Sequence, residues 1–165
     1  MIEIYAGNLL KLKETYLIFQ LPLFLVSIPV INGVGGNIGS ILGARLASGL
    51  HIGSITLNPK DRNMHENVFT AILLGLFTYT LLAIVIYFIG TFTGLAKGIE
   101  LINYISIFIL TGVFLICILS LISVISAFIS FQRGIDPDDV VAPIVTTFGD
   151  TFGIILLFFF IGGGM

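Results

Sequence analysis

Charge is what this sequence most lacks. Only 7 Lys and Arg and 9 Asp and Glu occur in 165 residues, so charged residues make up 10% of the chain. A soluble domain carries about a quarter. A water-soluble globule is therefore excluded, because most of its surface would have to be apolar. The formal net charge of −2 excludes a strongly charged partner such as nucleic acid. Cysteine is down to Cys117, inside an apolar run, which rules out an intrachain disulfide. The two histidines, His51 and His65, have no partners at ligand spacing, so a zinc site is not supported. No nucleophile–base pair can be assembled, and the chain does not read as an enzyme.

What the sequence does have is apolar length. Hydrophobic residues make up 57% of the chain, with a mean hydropathy of +1.14. A bilayer core of roughly 30 Å takes about 20 helical residues. Four stretches qualify, at about 16–50, 67–90, 101–131 and 142–161, within one transmembrane domain spanning 1–165. The third exceeds a perpendicular crossing and is expected to tilt or protrude. These runs lack the alternating polarity of barrel strands, and open strands in lipid would leave backbone groups unpaired. The expected fold is an all-α polytopic helix bundle. The first stretch is too long for a signal peptide and lacks a cleavage site, so it reads as a retained span. If that stretch is one long helix, Arg45, Lys60, Arg62 and Arg133 share one side, and the positive-inside rule makes that side cytoplasmic. A separate short span at Gly35–Leu50 would instead leave Arg45 inside the membrane.

Against this apolar background Asp150 stands out as the only acidic residue inside a span. It lies about 16 Å of helix beyond Asp139, roughly halfway through the membrane. Placing a carboxylate there costs at least about 2.5–3.5 kcal/mol, and such acids mark ion or proton paths by default. The structural alternative is a hydrogen bond to Thr146 or Thr147, one turn earlier. A second element runs from Pro29 through Asn32, Gly33, Gly35, Gly36, Asn37, Gly39 and Ser40 to Gly43, Arg45 and Ser48. Gly35, Gly39 and Gly43 repeat at the small-xxx-small spacing of close helix packing, and Gly36 adds to that face. Packing accounts for the glycines but less well for Asn37. A phosphate-binding loop is unsupported, since no strand precedes it and the Walker lysine is missing. The third element is Asp136-Pro137-Asp138-Asp139 before Pro143. Asp138 and Asp139 suit a helix start with Pro143 in its first turn. Three carboxylates at a pore mouth would also concentrate cations.

The order Pro29…Gly33…Gly36-Asn37…Ser40…Ser48…Gly53, then Asp136-Pro137-Asp138-Asp139…Pro143…Thr146-Thr147-Phe148-Gly149-Asp150, resembles the membrane domain of MgtE-type magnesium transporters and their eukaryotic solute-carrier relatives. The likeness covers most of the chain, and the two motifs together are more specific than the glycine motif alone. The resemblance implies a path for Mg2+ or another divalent cation at the interface of two five-helix units. It implies that Asp150 binds the hydrated ion, that Asn37 lines the cytoplasmic side, and that backbone carbonyls near Thr146 and Thr147 assist. Two departures stand out: the family's first helix is reduced here to Met1–Gly7, and the regulatory domains of full-length members are missing from this sequence. The physics agrees with the likeness, since Mg2+ prefers oxygen ligands and parts reluctantly with its waters. One Asp150 per chain suits a homodimer, or a pairing with a similar half-size chain, in which two carboxylates match one divalent ion. The expected setting is a multi-pass protein of the cell membrane. Two other functions stay open: a non-conducting assembly subunit packed through its small-residue helix, and a proton-coupled carrier in which Asp150 titrates.

Overall fold

The computed structural model describes residues 22–163 and the isolated positions 4 and 8. The short segment expected at Met1–Gly7, apart from position 4, and the start of the first span from Tyr16 lie outside the described residues. Four helices follow in order: α1 Pro22–His51, α2 Arg62–Thr93, α3 Leu101–Gln132 and α4 Pro137–Gly163. All four are long and apolar enough to cross a membrane, and no strand occurs among the described residues. The all-α polytopic bundle expected from the sequence is the fold found.

Helix ends follow local polar chemistry rather than hydropathy. At the start of α2, Asp61 accepts the backbone N–H of Met64 at 3.0 Å, and its other oxygen takes the Thr56 N–H and hydroxyl. These bonds, that from Met64 first, hold the Asp61 carboxyl below its usual range. Gly94, in the left-handed region at φ 78°, ends α2 by returning its N–H to Thr91. Asp136 accepts the Asp138 N–H at 3.0 Å, so α4 opens at Pro137 with Asp138 and Asp139 in its first turn. Proline is at home in that first position, where its missing N–H is no loss. Pro143 therefore does not sit in the first turn, as the sequence suggested, but one turn further in.

α1 runs unbroken through its glycines, so Gly35–Leu50 is not a separate span. Glycine is a poor helix former in isolation, yet at Gly35, Gly36, Gly39 and Gly43 neighbouring helices fill the space that side chains would occupy. α1 and α3 lie side by side in parallel, tied by Ser27 to the Tyr104 hydroxyl at 2.7 Å and by the Ser123 hydroxyl to the Gly39 carbonyl at 2.9 Å. α2 packs on both, with Tyr79 fully buried beside Gly112 and its hydroxyl donating to the Ile31 carbonyl at 2.7 Å. Interhelical bonds of this kind contribute about 0.6–2 kcal/mol each in a membrane. α4 packs on α1 and α3 from the opposite side, and α2 and α4 do not touch.

Candidate ion site on the seam of the first and last helices

α1 and α4 run antiparallel, and small residues set their register. Gly43 lies against Val141, Gly39 against Val145, and Gly36 against Thr146 and Gly149. A methyl group on Gly149 would stand only 3.7 Å from the Gly36 backbone, so the two main chains meet there with little between them. Gly35 faces the other way, toward Leu115 and Tyr79. Close approach of this sort is what small-xxx-small spacing provides in lipid, where packing replaces the hydrophobic drive.

The residue after each glycine of the Gly36–Gly149 contact carries the polar group of interest. Asn37 follows Gly36 and Asp150 follows Gly149, and both are exposed in the single chain. Antiparallel packing puts them on one side of the seam, within about a helical turn of each other along the axis. Thr146 is exposed on the same stripe, with its methyl toward Gly36 and its hydroxyl donating to the carbonyls of Ala142 and Pro143. Among the described residues, no hydrogen bond or ion pair engages the Asp150 carboxylate, and the threonine bond considered from the sequence is not made.

Asn32 plays a part that the sequence did not assign. It is only 8% exposed, and its amide donates to the backbone carbonyl of Asp150 at 3.1 Å. Its own carbonyl oxygen is buried against Gly153 without a partner. Asn32 thus ties the turn that bears Asp150 to α1, whereas Asn37 faces out. A signal for this joint was present in α4, where Gly149 and Gly153 repeat the four-residue glycine spacing of α1.

The carbonyls near Asp150 are less free than the carboxylate. Those of Thr146 and Thr147 belong to the helical ladder, and Thr147 also accepts the Thr151 hydroxyl at 3.2 Å. What they can offer an ion is a second lone pair. Pro143, exposed on this stripe, has no N–H, so the Asp139 carbonyl one turn earlier loses its ladder donor. The stripe therefore presents a carboxylate, an amide, a hydroxyl and a carbonyl that lacks its ladder donor. Asp136, Asp138 and Asp139 are exposed where α4 begins, at the end of the bundle that also carries Lys60, Arg62 and Arg133. Among the described residues no three His, Cys, Asp or Glu side chains converge as a metal-holding group. One chain alone brings a single carboxylate to the seam.

The four helices long and apolar enough to cross a membrane carry exposed polar side chains along the α1–α4 seam. Residues 28–160 match the family described as MgtE, divalent cation transporter, and the chain belongs to that family. No curated protein and no solved structure matches it significantly. The family is one of transporters rather than enzymes, and membership covers both polar elements of the seam.

Proposed function

We propose that this chain moves Mg2+ across the cell membrane along the α1–α4 seam, with Asp150 as the ion's principal ligand. The observation that carries the reading is that Asn37 and an unpartnered Asp150 are both exposed beside the Gly36–Gly149 contact of α1 and α4. A carboxylate left against lipid costs at least about 2.5–3.5 kcal/mol, and a cation offsets that cost where water reaches it.

The seam is open in one chain, and a second copy or a similar half-size chain would close it. Two Asp150 side chains across such an interface carry the charge that balances one divalent ion. Mg2+ keeps several of its waters and needs only one or two carboxylates, so Asn37, Thr146 and the Asp139 carbonyl act through the hydration shell. The acidic start of α4 gathers cations at the mouth. Mn2+ or Co2+ with similar hydration would compete for the same seam.

The test is Mg2+ flux into liposomes reconstituted with the full chain. Asp150→Asn keeps the shape and removes the charge, and it should abolish flux while the protein still elutes as one monodisperse species. Wild-type flux from that variant ends the proposal. Flux that follows a pH gradient and ignores divalent ions would instead favour proton coupling.

A further inference from the structure

The Arg45 that follows the glycine element is not used by the seam. It lines a cleft of about 620 Å³ where α1 and α2 part near the loop that joins them. That volume is within the roughly 300–1,000 Å³ of small-molecule sites. Its polar wall is made by Arg45, Ser48, Asn63, Glu66 and Asn67. A shallow furrow of about 20 Å³ between the same two helices shares Ile41, Arg45 and Asn67 with the cleft and is walled by Ile38, Leu42, Ala71 and Leu74. One groove thus has a polar end and an apolar end, with the guanidinium at the junction.

Depth matches that division. α1 has 30 residues and measures about 45 Å, the thickness of a bilayer with its headgroups. Arg45 lies about 9 Å short of the end at His51, where headgroups give way to acyl chains. The cleft is then at headgroup depth and the furrow at chain depth.

Charge selects the occupant. The carboxylate in the cleft wall, Glu66, is held by Arg62 at 2.8 Å, and no ion pair engages Arg45 among the described residues. In the α1–α2 loop and the helix turns beside it Arg45, Lys60 and Arg62 outnumber Asp61 and Glu66, while Asp136, Asp138 and Asp139 belong to the start of α4, which does not touch α2. Asn63 and Asn67 each spend one amide hydrogen, on the Ser54 and Asn63 carbonyls, and keep another. A guanidinium with amide donors beside it suits a phosphodiester, which it can grip with two parallel bonds. It would repel a divalent cation, so the cleft is a poor extension of the transport path. Basic pockets between membrane helices hold lipid headgroups in this way.

We infer that the α1–α2 groove binds one anionic phospholipid per chain, its phosphodiester on Arg45 and one acyl chain lying over the shallow apolar furrow. This does not depend on the role of Asp150. The test uses the full chain in neutral detergent with added phosphatidylglycerol, phosphatidylcholine of the same chains, or glycerol phosphate, read by native mass spectrometry and thermal unfolding. Phosphatidylglycerol should be retained at one per chain and raise the unfolding temperature, with phosphatidylcholine well behind. Arg45→Gln should cut retention at least about tenfold, as loss of a charge-assisted pair does. Should that variant unfold, Leu74→Trp fills the exposed furrow without touching the guanidinium and should weaken retention alike. Equal retention of both lipids, or undiminished phosphatidylglycerol retention in the folded variant under test, overturns the inference. Stabilisation by glycerol phosphate equal to that by the lipid also overturns it, since the site would then be one for soluble anions.

Discussion

Two exposed faces of this bundle are opposites. α2 turns outward a nearly unbroken apolar surface, with Phe69, Phe77, Leu81, Phe88 and Phe92 all exposed. The outward face of the α1–α4 seam presents Asn37, Thr146 and Asp150 instead. In water the first would be the anomaly; in a bilayer it is the second. Exposure in a single chain therefore means two different things, lipid contact on α2 and an unfinished polar surface on the seam. The difference identifies which face needs water, an ion or another protein.

Exchanging the character of the two faces gives the largest effects. Phe77→Asp places a charge where lipid is expected and should cost at least about 2.5–3.5 kcal/mol, seen as reduced insertion or a lower midpoint in reversible unfolding from mixed micelles. Asp150→Leu should behave in the opposite sense, leaving stability equal or higher while Mg2+ flux disappears. If both variants lose stability alike, the two faces do not differ as described. Gly153→Ala comes next, because the added methyl overlaps the Asn32 side chain. Overpacking of that kind costs about 1–3 kcal/mol, and it should weaken ion-dependent thermal stabilisation as well, since the same asparagine steadies the turn at Asp150.

Tyr79→Phe sharpens the contrast from inside the bundle. It removes the hydroxyl bond to Ile31 but keeps the ring against Gly112, so a loss of about 0.6–1.7 kcal/mol is expected in the same unfolding assay. The smallest effect belongs to the loop. The Asp61 carboxyl titrates below its ordinary value, so its support for the start of α2 is complete above about pH 3.9. That support is lost as the pH falls through the lowered folded value. Asp61→Asn should flatten this acid limb, measured as hydrogen exchange at Met64 and its neighbours, and leave flux at neutral pH unchanged.

The helices were readable because lipid imposes a length and an apolar composition, and the family's two polar motifs were readable as residue patterns. Their facing was harder. Asn32 and Asn37 look equivalent in the sequence, yet one is buried against α4 and the other faces out. Which side of α1 receives α4 is decided by Gly36, Gly39 and Gly43 meeting specific partners, and a single helix does not reveal its neighbours. At the start of α4 the two aspartates were legible as a helix start, and only the place of Pro143, one turn further in, was not. Hydropathy detects apolar residues, while the helix begins with Pro137 and two aspartates held by a side-chain cap at Asp136.

The meeting of Gly36 with Gly149 has a mechanical consequence. Groups attached next to a joint between two main chains have little independent travel, because swinging a side chain does not change the spacing of the rods that carry it. On the proposed function, α1 and α4 of one chain would move as one body, like two blades riveted at one point, and the space beside Asn37 and Asp150 would widen by a shift against whatever closes the seam.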